Sequence, residues 1–237
     1  VDKESNAYTI GYALVMTVVV AVSLAFVATS LQPRQYANQQ LSTKVDILKA
    51  VGVVDVAKDE AASIYDQRIA GLVLGFDMNP LLDSVKAVDI DLAKESKKSA
   101  EEQRYPIFVY QVEGSTRYIL PLYGNGLWDK IWGYVAIEED FNTIAGISLD
   151  HKAETPGLGA EIKDNPRQYN DPFVGKKLFD DGGEYVSIAM KKGKLDNPEH
   201  QIDAITGATI TSDGVSDMLY EDVQAYLPYF ETLKNAQ

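Results

Sequence analysis

Near the C-terminus, Asp203-Ala204-Ile205-Thr206-Gly207-Ala208-Thr209-Ile210-Thr211-Ser212 combines four hydroxyl side chains with a Gly-Ala pair. The small pair lets the backbone turn tightly. Thr211, Ser212 or Asp213 is placed to cap a helix that the following apolar spacing carries to about Leu227. A helix start leaves amide donors without acceptors and carries the positive end of the helix dipole, so it suits an anion such as a phosphate. Ser212 and the amides after Thr209 are the candidate donors, and Gly207 and Ala208 leave room for the group to approach. In a protein without a ligand the same residues make a turn and an N-cap.

A second stretch, His151-Lys-Ala-Glu154-Thr155-Pro156-Gly157-Leu158-Gly159, is rigid at the proline and permissive at the glycines. Such a loop can lie close to a flat ring. The Thr155 hydroxyl can hydrogen-bond a ring edge and Leu158 can cover an apolar face, while a salt bridge competes as the reason for Glu154. A third, Gly124-Asn-Gly-Leu-Trp128, offers an aromatic surface at Trp128, as do Trp132 and Tyr134, although strand alternation sends some of these into the core. His151 reads as structural.

Composition narrows the chemistry. There is no cysteine and there are only two histidines, so thiolate iron-sulfur ligation, disulfides and a Cys/His zinc cluster are excluded or disfavoured, and no metal ligands are expected. A net charge of -13 without a basic block opposes binding to nucleic acid. No acid, base or nucleophile constellation is visible, so no catalytic residue is assigned, and the Gly-x-Gly-x-x-Gly dinucleotide signature is absent. Redox chemistry here would need a bound organic cofactor or a partner's metal.

These segments need a frame. Residues 10–31 are uncharged, and about 22 residues at ~1.5 Å each can span a ~30 Å hydrocarbon core, so one transmembrane helix is expected after a short polar segment, residues 1–9. A retained anchor is favoured over a signal peptide by this length. Lys3 and Arg34 balance and leave the topology open. Pro33 marks the end of the span, and residues 32–104 read as a helical linker with helices near Gln39–Ala50, stopped by Gly52, and Lys58–Ile69. Gly71–Asp77 is expected to be a turn or connector and Asp83–Ala100 a solvated insertion. The period then changes: Pro106–Val112, Arg117–Tyr123, Lys130–Ile137 and Thr143–Leu149 suggest a meander with a turn at Glu113–Thr116, and Tyr185–Met190 suggests a later strand. A final helix is expected to stop at Pro228. The fold class expected is α+β: an N-terminal transmembrane helix, then a mostly antiparallel sheet flanked by helices.

Together, the segments resemble the FMN-binding domain family shared by NqrC of the sodium-translocating NADH:quinone oxidoreductase and RnfG of the related Rnf complex. Asp203-x-x-Thr206-Gly207-Ala208-Thr209 is similar to that family's flavinylation motif, with Thr206 where serine is common. The resemblance implies FMN joined through its phosphate to Thr209, Thr211 being the local chemical alternative. It implies an isoalloxazine lined by Glu154, Thr155, Gly157, Leu158 and Gly159, and Asp203 as a recognition residue for a flavin transferase or its metal-assisted reaction, a turn-stabilising role fitting equally. It further implies a single-pass protein of the inner membrane with residues 105–237 as a periplasmic FMN domain. The partners implied are the A, B, D, E and F subunits of the oxidoreductase, and the route runs from a membrane iron-sulfur centre to the FMN of the B subunit between NADH and quinone. The longer region between anchor and β-rich core favours the NqrC type over an Rnf-type carrier linked to ferredoxin and NAD. A cofactor-free tethered structural protein is the reading of a different class.

Overall fold

Alternation of apolar residues through the middle of the chain builds a sheet that is covered on both faces. The computed structural model describes residues 5–82, 85–112 and 114–235, apart from the side chain of Asp59. Lys3 and Glu113, on which part of the topology and turn reading rested, lie outside the described residues, as does Asp83 at the start of the expected insertion. The chain divides into two units, residues 1–42 and 43–237.

The first unit is the greater part of helix α1 (Asn6–Ala50), which is long and apolar enough to cross a membrane by length and composition. Along the apolar run the hydroxyls of Thr17, Ser23, Thr29 and Ser30 donate to the carbonyls of Ala13, Val19, Ala25 and Phe26, so these polar groups are satisfied within the helix. Pro33 does not end the helix: α1 continues through it, in place of the expected break and separate helix at Gln39. A proline removes one amide donor and crowds the carbonyl four residues back, a cost of about 3 kcal/mol that the intact turns on either side can absorb. Termination comes at Gly52, with φ of 83°, where Gly52 N–H donates to Lys49 O and Val53 N–H to Leu48 O. That pair of bonds is a glycine-terminated Schellman cap.

In the second unit, α2 (Lys58–Arg68) leads into β1 (Ile69–Leu74). The sheet then runs as β2 (Tyr105–Val112), β3 (Ser115–Asn125), β4 (Lys130–Ile137) and β5 (Ile144–His151), antiparallel throughout in the order β1-β2-β3-β4-β5. The segment expected as a connector is thus partly a strand. Gly71 lies against Ala87, where a Cβ would sit 3.0 Å from the Ala87 methyl, so the insertion is pinned to β1. Short helical turns, among them α3 (Leu92–Glu95), occupy the rest of the insertion. Because β1 pairs along its length with β2, the expected domain boundary at residue 105 cuts through the sheet.

Strand alternation sends Phe108, Tyr110, Ile119, Tyr134 and Ala136 to one face, where they meet Ile47, Leu48 and Ala50 of α1 and Ala61 and Tyr65 of α2. Ile107, Leu120, Leu122, Ile131 and Val135 face the other way, into a core shared with α6 (Thr209–Lys234). After β5 the chain wraps through α4 (Glu161–Asp164) and α5 (Pro166–Tyr169) to a parallel pair, β6 (Ala189–Lys191) and β7 (Gln201–Asp203). The strand expected from Tyr185 is confined to β6, since Ser187 adopts φ of 58° and breaks the extension. α6 also outruns its expected end at Pro228, because Tyr229 and Phe230 beyond it are buried and Phe230 stacks 5.0 Å from Phe141.

Candidate functional site

Asp203 closes β7 and is exposed, and the chain turns through Thr206 and Gly207 before α6 begins. Gly207 takes φ of 82°, which only glycine adopts without strain. The helix starts earlier than the expected caps: Ala208 is the N-cap residue, Thr209 is the first helical residue, and Thr211 and Ser212 lie inside the first turn. Thr211 and Ser212 are buried, while Thr206, Gly207, Thr209 and Ile210 are exposed and Ala208 is buried. At about 100° per residue, positions 209 and 211 face roughly opposite sides of the helix, so one is turned out when the other is turned in.

The inward hydroxyls fasten the turn. Ser212 Oγ accepts from Ile205 N–H at 3.0 Å and donates to Ala208 O at 3.0 Å. Its hydroxyl, expected as a phosphate donor, is engaged here with the motif's own backbone. Thr211 Oγ1 donates to Glu154 Oε2 at 2.6 Å. By contrast, among the described residues the amides of Thr209, Ile210 and Thr211 have no backbone acceptor, the first bond back being Ser212 N–H to Ala208 O.

Glu154 draws the other two segments in. Its Oε1 accepts from Trp128 N–H at 2.9 Å and the residue is only 5% exposed, so in this structure it braces the three segments from within. Space for it is made by glycine. A Cβ at Gly126 would sit 2.5 Å from Oε1, and one at Gly159 would collide with Oε2 and with the Thr211 hydroxyl. Thr155, Gly157 and Leu158 are exposed, Gly157 with φ of 74°. Trp128 Nε1 donates to Thr155 Oγ1 at 3.1 Å, and a Cβ at Gly207 would meet Leu158 Cδ2 at 2.9 Å. Leu158, Trp128 and Ile210 remain 39%, 68% and 55% exposed, Ile210 next to Thr209 in α6 and the other two on the loops fastened to the helix start.

This arrangement fits a phosphorylated flat ring. Unpaired amides and the dipole at the start of α6 suit the phosphate, Thr209 offers the outward hydroxyl, and Leu158 and Trp128 offer faces for an apolar ring. His151 Nδ1 accepts from Glu154 N–H at 3.1 Å, a structural bond. Asp129 beside Trp128 is held below the usual carboxylate range, first by the N–H of Lys130 and then by the Lys152 ammonium at 3.0 Å. Among the described residues no group of three or more His, Asp or Glu is placed to hold a metal.

Sequence reasoning missed two features. Gly214 in α6 is needed because the carbonyl of Asn125 occupies the space of a Cβ, and a glycine inside a helical pattern was the available signal. Asp222 is the other: its carboxyl accepts from Tyr123 N–H at 2.7 Å, and burial pushes it up to about 7. It lines a cleft of about 220 Å³ with Glu95, Arg104 and Tyr226, and a second cleft of about 360 Å³ opens by Lys130 and Asp217. Neither cleft is lined by Thr209, Glu154 or Leu158.

Residues 126–224 match a family model described as FMN-binding domain. The C subunit of the Na(+)-translocating NADH-quinone reductase of Neisseria meningitidis serogroup A is 34% identical over 253 residues, covering 99% of this chain and 97% of that protein. The solved structure of the corresponding C subunit from Parabacteroides distasonis superposes with a TM-score of 0.76 at 35% identity, over 84% of this chain and 96% of that one. Shewanella oneidensis NqrC gives 0.72 at 28% identity, over 84% and 99%.

Proposed function

Because the chain belongs to the NqrC family, the C subunits of the Na(+)-translocating NADH-quinone reductase, we propose that it is a membrane-anchored FMN carrier with the flavin phosphate joined to Thr209. The observation that carries the attachment site is the contrast within one helical turn: Thr209 is exposed beside unpaired amides, whereas Thr211 is buried and bonded to Glu154. In attachment, Thr209 Oγ gains a bond to phosphorus as the pyrophosphate linkage of an activated flavin dinucleotide breaks. A nucleoside monophosphate leaves, and the hydroxyl proton passes to a base of the flavin transferase.

Bound FMN supplies electron transfer, accepting and passing on electrons. The chain's own residues bind and orient it: Gly207 and Gly157 shape the loops, Leu158 and Trp128 shield the ring from water, and Thr155 positions the Trp128 indole. α1 tethers the domain to the membrane, with the FMN domain on the periplasmic side of the inner membrane. Its partners are the A, B, D, E and F subunits of the complex, and its electrons come from a membrane iron-sulfur centre and leave to the FMN of the B subunit. The relatives described above carry names from the quinone reductase, which favours this complex over an Rnf-type one. Asp203, exposed at the end of β7, is accessible for recognition by the transferase.

Co-expression with a flavin transferase, followed by intact mass and peptide mapping, tests the reading. One FMN on the Thr209 peptide is expected. An adduct on Thr211 would reject the site, and a native complex with no flavin on this chain would return the cofactor-free structural reading.

A further inference from the structure

The three motif segments meet at one carboxylate, and we propose that Glu154 is a positioning residue that sets the first turn of α6 so that Thr209 faces out, without touching the cofactor itself. This rests on the FMN reading above. Its two oxygens are committed to partners 26 and 57 residues away along the chain, Trp128 N–H and the Thr211 hydroxyl. Its backbone is held too, through His151 Nδ1. The carboxylate is therefore a three-way junction between the Gly124–Trp128 loop, the Glu154–Gly159 loop and the helix start.

The geometry explains why the junction controls Thr209. Two residues along a helix correspond to a rotation of about 200°, so anchoring Thr211 inward presents Thr209 outward. Gly126 and Gly159 flank the carboxylate on both sides, and any side chain there would displace it. These two glycines thus serve the brace, in contrast to Gly207 and Gly157, whose positive φ serves the loops. The same bond to Trp128 N–H sets the loop that carries the exposed indole, so one group registers the attachment hydroxyl and an aromatic surface together.

The test uses the full chain in detergent, flavin adenine dinucleotide as donor and a flavin transferase. The initial rate of covalent attachment is followed by fluorescence on denaturing gels and by mass, and amide exchange at residues 205–213 is measured in protein that has received no flavin. Glu154→Ala removes the acceptor of the Trp128 amide and of the buried Thr211 hydroxyl, and is expected to slow attachment at saturating transferase and speed amide exchange by about tenfold or more. Glu154→Gln can accept from Trp128 N–H and donate to Thr211 Oγ1, and is expected to stay within about threefold of wild type in both. Val223→Ala, a core change in the same helix, is expected to lower the melting temperature and leave both readouts near wild type. If Glu154→Ala does not fold, Thr211→Val removes one arm of the junction and is expected to slow attachment by about threefold to fivefold.

Wild-type rates and exchange in Glu154→Ala or Thr211→Val would overturn the proposal. So would a Gln variant as impaired as the Ala variant, or a Val223→Ala control that slows attachment equally. A wild-type chain that takes no flavin at Thr209 would instead sink the FMN reading, and the exchange measurement would still decide whether Glu154 sets the turn.

Discussion

At its first turn α6 is held by hydrogen bonds, Ser212 to Ile205 and Ala208 and Thr211 to Glu154; beyond Pro228 it is held by rings, Tyr229 and Phe230 packed among Phe141 and Tyr118. The two regions solve different problems. Hydrogen bonds are directional, so a few of them can decide which of two neighbouring threonines is presented. Apolar packing is non-directional and scales with area, so it stabilises the helix strongly enough to absorb a proline but does not specify a single hydroxyl.

Four substitutions would break or sharpen that contrast. Thr209→Val should abolish covalent flavin completely while changing stability by about 0.5 kcal/mol or less, since the side chain is exposed; gel fluorescence and a thermal melt read the two quantities. Phe230→Ala should do the reverse, costing about 3–5 kcal/mol in a denaturant titration while the folded fraction still accepts flavin.

Asp222 lies between the two regions and tests the packed middle. Its carboxyl is raised to about 7, chiefly by burial, with the Tyr123 amide opposing and Glu221 adding to the rise. The native state therefore holds a proton that the unfolded chain releases near its ordinary value of about 3.9, so stability falls as pH rises from about 4 to about 7. Asp222→Asn should flatten that slope, by about 4 kcal/mol across the window, and an unchanged pH profile would show that the group titrates normally. The smallest effect is expected from Ser212→Ala, about 1 kcal/mol of stability, because Ser212 N–H still pairs with Ala208 O when the hydroxyl is gone. Its attachment rate should fall less than that of Glu154→Ala, as only one side of the turn is loosened.

The fold was legible wherever periodicity carried it. Strand alternation from Pro106 to Leu149 marked the meander, which the structure extends by a residue or two at its ends, and the apolar run from Ile10 to Leu31 marked the candidate span. Prolines misled in both long helices. Pro33 and Pro228 each remove one local bond, but helix continuity depends on the neighbouring turns and, for α6, on the burial of Phe230 against residues far from it in sequence. β1 was obscured because Gly71 has no side chain with which to show alternation, yet its backbone pairs with Phe108.

At the site, small residues, hydroxyls and a proline marked Asp203–Ser212 and Glu154–Gly159 as constrained turns, since they restrict the backbone locally whatever surrounds them, and the family resemblance singled these out together with Gly124–Trp128. The long uncharged run and the two-residue period were likewise settled by sequence, because both are properties of neighbours along the chain. Which threonine faces outward, and that Glu154 lies beneath the site as a brace, only the tertiary structure decided. Those outcomes depend on a carboxylate meeting an amide 26 residues away and a hydroxyl 57 residues away, contacts that exist once the sheet and α6 have packed.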